Sequence, residues 1–122
     1  MAATPKTAKD LHERTYQFAV RAVRLVQALP PNTAGWVLGR QVARSGTSVG
    51  SNVEEAKGAQ SRADFIHKMS IALKEARETL YWLRLIRDAE LVKPQRLATL
   101  ITECDELVRI LTAIVKKSRE RR

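Results

Sequence analysis

Apolar residues recur every three or four positions along nearly the whole chain, and proline or glycine interrupts the pattern at three points. The interruptions are Pro30-Pro31, Gly58 and the segment from Asp88 to Pro94. A period of 3.6 residues predicts four amphipathic helices. Because connections of about three to six residues leave little room for a crossover, consecutive helices are expected to run antiparallel. The sequence therefore predicts an all-α fold, an antiparallel up-down-up-down four-helix bundle.

Polar residues and glycine at the interruptions predict where the helices begin and end. Asn32 or Thr33 is placed to cap the second helix, and Gly58 to end it. Ser61 followed by Asp64 is a variant of the capping box and predicts the start of the third helix. Pro94 lies where the first turn of the fourth helix tolerates a proline.

The chain has 122 residues, which predicts one domain. With 44% apolar residues it can form a core, which excludes disorder for the body of the chain. We expect a flexible N-terminal segment at residues 1–9, the bundle at 10–115 and a basic C-terminal tail at 116–122. The last apolar position is Val115.

The single cysteine and the lack of long apolar runs indicate the cellular compartment in which the protein is expected. Cys104 is alone and cannot form an intramolecular disulfide, so a reducing compartment fits. The longest uncharged stretch, Leu25–Gly39, is interrupted by two prolines and is shorter than the roughly 20 apolar residues of a membrane span. We expect a soluble, cytoplasmic protein that does not associate with membranes.

The third helix carries two apolar stripes about a third of a turn apart. A helix in a single bundle has one core to face, so a second stripe ending in an aromatic residue favours burial against another subunit. The alternative is one wide core stripe with Trp82 at its edge. The first stripe contains Phe65, Met69, Ala72, Leu73, Ala76, Leu80 and Leu83, and the second contains Ile71, Glu75, Glu78, Thr79, Trp82 and Ile86.

A row of polar residues lies on one face of the second helix, at spacings of three and four. The row is either solvated or part of a buried hydrogen-bonded network that fixes helix register or subunit pairing, and we favour the network. The row consists of Ser45, Ser48, Asn52 and Glu55, and its candidate partners are Arg44, Glu75 and Glu78.

Gly46–Gly50 matches the G-x-S-x-G pattern of hydrolase nucleophile elbows. That motif requires a strand-to-helix turn and a later acid and histidine, whereas here no strand precedes Ser48 and His67 is the only histidine downstream. We therefore expect the small residues to allow close approach of another helix, and we expect no catalytic residue. Glutamates without a Glu-x-x-His element likewise predict no metal, and no cofactor is expected.

The chain is strongly basic, with a formal charge of +9 from 22 Lys+Arg and 13 Asp+Glu. The last seven residues contribute +4 through Lys116, Lys117, Arg119, Arg121 and Arg122 against Glu120. Such a tail favours a helix C-terminus and solubility, or it contacts phosphates. Arg14 and Arg21, which fall off the apolar stripe of the first helix, are further candidates for phosphate contact. Since no motif that reads bases is present, we expect binding by charge.

Three sequence runs, Arg44–Ala56, Ser61–Phe65 and Glu75–Leu83, resemble the bacterial four-helix-bundle family of 23S rRNA intervening-sequence proteins. The resemblance extends from Tyr16 to the fourth helix. It implies a ring-like homopentamer with a basic surface, similar to the accessory variability proteins of diversity-generating retroelements, and it supplies no catalytic residue. The recurring polar positions of the family match Ser48, Asn52, Glu55, Glu78 and Trp82.

Together these observations predict a non-enzymatic homo-oligomer that binds structured RNA, or another nucleic acid such as DNA, by electrostatics. The alternative is an oligomeric scaffold for another protein, for example a reverse transcriptase, in which the positive charge serves only solubility.

Overall fold

The structure, a computed structural model, describes residues 8–121. It contains helices α1 (Ala8–Ala28), α2 (Thr33–Lys57), α3 (Arg62–Asp88) and α4 (Ala98–Glu120), with one turn of 3-10 helix at Pro94–Arg96 before α4. Each helix packs against the next, and α4 also contacts α1. Within the described range there is no strand, and none of the helices is long and apolar enough to cross a membrane. The predicted antiparallel four-helix bundle is confirmed.

Local hydrogen bonds define the predicted helix ends. The Asn32 side chain accepts a hydrogen bond from the Gly35 N–H at 2.9 Å, and Ser61 accepts one from the Asp64 N–H at 3.0 Å. Gly58 follows the last residue of α2, as predicted. Gly35 is needed for a second reason, because a Cβ atom there would lie 1.9 Å from the Pro30 carbonyl oxygen. The turn between α1 and α2 closes tightly only with glycine at this position.

The core runs along the whole bundle axis and receives apolar side chains from all four helices. Its burial is the main source of stability in a bundle of this size. The largest fully buried apolar side chains are Phe18, Leu83, Ile86, Leu97, Leu107, Leu111, Val42 and Val49.

Part of the second stripe of α3 is buried inside one subunit. The helix lies between α2 and α4 and therefore has two neighbours to face. Ile86 and Thr79, from the second stripe, are fully buried in the monomer, while Trp82 is half-buried and packs against the core. The expectation that Ile86 is buried against another subunit is wrong, because it is a core residue. Trp82, which is partly buried, lies at the edge of this core surface.

The C-terminal residues continue α4 instead of forming a separate tail. The helix extends to Glu120, beyond the last buried residue, Val115. Its last turns contact α3, because Arg62 donates to the Ser118 carbonyl at 2.9 Å and Arg119 donates to the Ser70 hydroxyl at 3.3 Å. At the other end α1 already begins at Ala8, and the rest of the expected flexible segment, residues 1–7, lies outside the described residues.

Candidate nucleic-acid interface

Ion pairs and a buried hydroxyl pair cross the seam between α2 and α3. Arg44 contacts both Glu78 and Glu75, the latter at 3.2 Å between Nη1 and Oε1. Thr79 donates to the Ser45 hydroxyl at 2.8 Å in a fully buried contact. Further along, Lys68 Nζ lies 2.8 Å from Glu55 Oε1. These contacts join the two helices, and only the one between Ser45 and Thr79 is buried.

Two residues of that row do not reach α3. The Ser48 hydroxyl donates to the Arg44 carbonyl at 2.8 Å, and the Asn52 amide donates to the Ser48 carbonyl at 2.8 Å. Both bonds stay within α2. Ser48 and Asn52 therefore belong to the helix surface beside the seam, while Ser45 makes the buried contact.

The small residues of the G-x-S-x-G run bring α1 and α2 close together. A Cβ atom at Gly46 would lie 2.9 Å from Ala22 Cβ, and one at Gly50 would lie 3.2 Å from the Thr15 carbonyl oxygen. Ser48 sits in the middle of α2, and no strand precedes it within residues 8–121. The run thus has the packing role that the sequence predicts for it.

An apolar patch interrupts the polar surface near the end of α3. The Tyr81 and Trp82 rings meet edge to face, with centroids 5.1 Å apart. Tyr81 and Leu85 are exposed. The buried Trp82 Nε1–H finds no hydrogen-bond acceptor among residues 8–121. A buried N–H group without an acceptor is unfavourable.

Arg14 is held by two carboxylates. Its Nε lies 2.9 Å from Glu103 Oε2, and its Nη2 lies 2.6 Å from Glu106 Oε1. The hydrogen bond to Glu103 raises the pKa of Arg14 above its ordinary value. This arrangement argues against the predicted phosphate contact of Arg14, because Glu103 and Glu106 already neutralise its charge between α1 and α4.

Arg21 has a different environment in the same seam. Its Nη2 donates to the Thr99 hydroxyl at 2.8 Å, and Arg21, Arg24, Arg96 and Thr99 line one depression. Within the described part of the chain, none of the three arginines forms an ion pair. Sequence reasoning missed Arg24 and Arg96, which come from separate elements and meet only through the packing of α1 on α4.

A second basic cluster lies where α4 ends beside the start of α3. Its members are Arg62, Lys116, Lys117, Arg119 and Arg121, all exposed, and we call it the α4-end cluster. None of them forms an ion pair with another residue in 8–121. Arg122, also predicted to contact phosphate, lies outside the described residues. The sequence analysis did not predict Arg62 as a member of this cluster, although an antiparallel bundle necessarily places the start of α3 beside the end of α4.

Cys104 is enclosed in the core. Its thiol is 3.3 Å from the Ala76 carbonyl oxygen, and burial raises the pKa of Cys104 to about 12. A thiol in this state is a small apolar side chain and not a nucleophile. No group of three or more His, Cys, Asp or Glu side chains in residues 8–121 is arranged to hold a metal ion.

Comparison with known proteins places this bundle in a family. No curated protein matches the sequence. A solved structure from Bacteroides thetaiotaomicron, described as a protein with unknown function from the S23 ribosomal protein family, is 40% identical and superposes with a TM-score of 0.82. The match covers 89% of this chain and 97% of that one. Residues 9–113 match the family model of the 23S rRNA-intervening sequence protein. The chain therefore belongs to the 23S rRNA-intervening sequence protein family.

Proposed function

We propose that this protein is a non-enzymatic homo-oligomer that binds structured RNA by contacting the phosphate backbone of the RNA. The observation that carries the proposal is the α4-end cluster, in which five exposed basic residues from the end of α4 and the start of α3 form no ion pair within the described residues. Uncompensated Lys and Arg side chains release condensed counterions when they meet phosphates, which favours binding.

The helical state of residues 116–120 supports this function. Because α4 continues to Glu120, Lys116 and Arg119 lie on one helical face, whereas Lys117 is about 100° further around the helix and Arg121 follows the helix end. The cluster contains no exposed aromatic residue on which a base could stack. Contact with phosphates, which orients nucleic acid without reading its sequence, suits this chemistry.

Two separate apolar surfaces support a homo-oligomer. One is the patch of Tyr81, Trp82 and Leu85 near the end of α3. The other is on α1, where Tyr16 and Val23 are exposed and lie two turns apart on one face of the helix. A ring requires two different surfaces on each subunit, since every interface in it is head-to-tail. The family resemblance implies five subunits, and a ring would present the basic cluster once per subunit for multivalent binding.

The oligomer is tested by light scattering. We expect one species several times heavier than 13.7 kDa. Leu85→Arg should shift it towards monomer, because a charge would replace an exposed apolar contact, whereas Thr112→Arg on the exposed face of α4 should not. A wild-type monomer at micromolar concentration would contradict the proposed assembly.

RNA binding is tested by filter binding of a duplex RNA at about 50 to 200 mM salt. Affinity should fall steeply with salt, and unrelated competitor sequences, including DNA, should compete similarly because phosphate contacts do not read bases. Absence of binding to RNA and DNA at the lowest salt would favour the alternative, a cytoplasmic scaffold whose partner is a protein such as a reverse transcriptase.

A further inference from the structure

The seam between α1 and α4 contains arginines in two contrasting situations. Arg14 faces Glu103 and Glu106, which satisfy its charge. Two helical turns further along α1, Arg21 faces only the neutral hydroxyl of Thr99, at 2.8 Å. A guanidinium that serves only to join two helices is best satisfied by a carboxylate, as Arg14 is.

Positive charge accumulates at the Arg21 end of this seam. Arg24 and Arg96 line the same depression, of about 210 Å³, and no carboxylate of the described residues pairs with any of the three arginines. Like charges brought together without a counter-ion repel one another. An anion bound between them would remove that repulsion and accept several charge-assisted hydrogen bonds.

We propose that Arg21, Arg24 and Arg96, with the Thr99 hydroxyl, form a binding site for one phosphate group of the RNA backbone. The identity of the ligand rests on the proposed function, whereas the capacity of the site for phosphate does not. Guanidinium groups match phosphate oxygens in geometry and donate two hydrogen bonds at once.

The start of α4 adds to the attraction. Thr99 lies in its first turn, and the N-cap residue Leu97 makes no side-chain capping bond. Free N–H groups and the positive end of the helix dipole at this point favour an anion. This contribution is secondary to the three arginines, which define the site.

The experiment is a titration of isotope-labelled protein with inorganic phosphate, monitored by the amide resonance of Thr99. Sodium chloride at equal ionic strength is the control salt. We expect a saturable shift with phosphate only. The double variant Arg24→Gln/Arg96→Gln should weaken phosphate binding about tenfold or more, because it removes two charged donors. Arg77→Gln, an exposed arginine on α3, should leave it unchanged.

A second arm uses duplex RNA with hydroxyl ends, so that every phosphate is a backbone diester. If both inorganic phosphate and the RNA shift the amide resonance of Thr99, the proposal is supported as stated. If inorganic phosphate shifts this resonance and the RNA does not, the assignment of the ligand to RNA is overturned. If the Thr99 resonance moves linearly with phosphate concentration and no further than with chloride, the phosphate site itself is overturned. If RNA binds but leaves Thr99 unmoved, this site is refuted while the proposed function stands. If phosphate saturates the site and RNA does not bind the protein at all, the proposed function fails instead.

Discussion

The hydroxyl groups of Ser45 and Thr79 make a buried contact between two helices of the bundle, at 2.8 Å. Thr79→Val keeps the shape of the side chain but removes the hydrogen bond, and it should lower the free energy of unfolding by about 1 kcal/mol. Thermal unfolding should show a decrease in Tm of about 4 °C for a domain of this size.

The matched control is Ser48→Ala. The Ser48 hydroxyl bonds only to a carbonyl of its own helix, so its removal should cost less than about 0.5 kcal/mol. This differs from the sequence-based expectation, in which Ser48 belongs to the buried network. Equal destabilisation by the two substitutions would contradict the assignment of the buried contact to Ser45 and Thr79.

Cys104 provides a test that depends on pH. Burial raises its pKa to about 12, compared with about 8.5 in an unfolded chain. The native thiol should resist iodoacetamide at about pH 8.5 and react quickly once guanidinium unfolds the protein. Because the folded pKa is the higher one, the stabilising contribution of the protonated thiol is complete below about pH 8.5 and declines as the pH rises towards 12. Rapid alkylation of the native protein would show that Cys104 is not enclosed.

At the scale of helices, the arrangement of Arg14 with Glu103 and Glu106 is the main polar link between α1 and α4. Arg14→Gln leaves two carboxylates facing the seam, with side-chain exposures of 20% and 47%. We expect a decrease of about 1 to 3 kcal/mol in the free energy of unfolding by urea. Arg109→Gln is the control, because its ion pair with Asp105 is exposed and should contribute less than about 0.5 kcal/mol. If the two variants unfold alike, the link does not hold α1 to α4.

The helices themselves are predictable because their signals are local. Asn32, Gly58 and Ser61 each act within one turn of the chain, so sequence alone places those helix ends correctly. Periodicity also identifies which residues of α3 are buried. Periodicity does not show whether a buried residue packs against the same subunit or another one. For that reason the sequence favours a subunit interface for Ile86, although Ile86 lies in the monomer core.

The candidate interface is less predictable because its residues come from different helices. Periodicity predicts that the bundle ends at Val115, where the apolar positions stop. In the structure, hydrogen bonds of Arg62 and Arg119 join the last turns of α4 to α3 beyond that residue. The structure adds Arg62 to the α4-end cluster and removes Arg14 from the candidate interface. Both changes have the same cause, because the partners of a side chain depend on which helices pack together. That information is not local in sequence.

At the scale of the whole molecule, the proposed function depends on charge that is left uncompensated at one end of a rigid bundle. The α4-end cluster is part of a helix that also packs on α3, so deletion of residues 116–122 would remove structural contacts together with charge. Substitution to glutamine is the cleaner experiment, because it removes charge and keeps a residue with good helix propensity.

The decisive measurement is the salt dependence of RNA binding by a variant with Lys116, Lys117, Arg119 and Arg121 replaced by glutamine. Its control replaces four exposed basic residues outside both basic clusters, Arg40, Lys74, Arg77 and Arg84, with the same change in net charge. We predict that the first variant binds duplex RNA more weakly and with a shallower salt dependence, because the log–log slope falls by roughly 0.7 to 0.9 for each phosphate that the protein no longer neutralises. The control should remain close to wild type. Equal behaviour of the two variants, or no binding by wild type at about 50 mM salt, would contradict the proposed function.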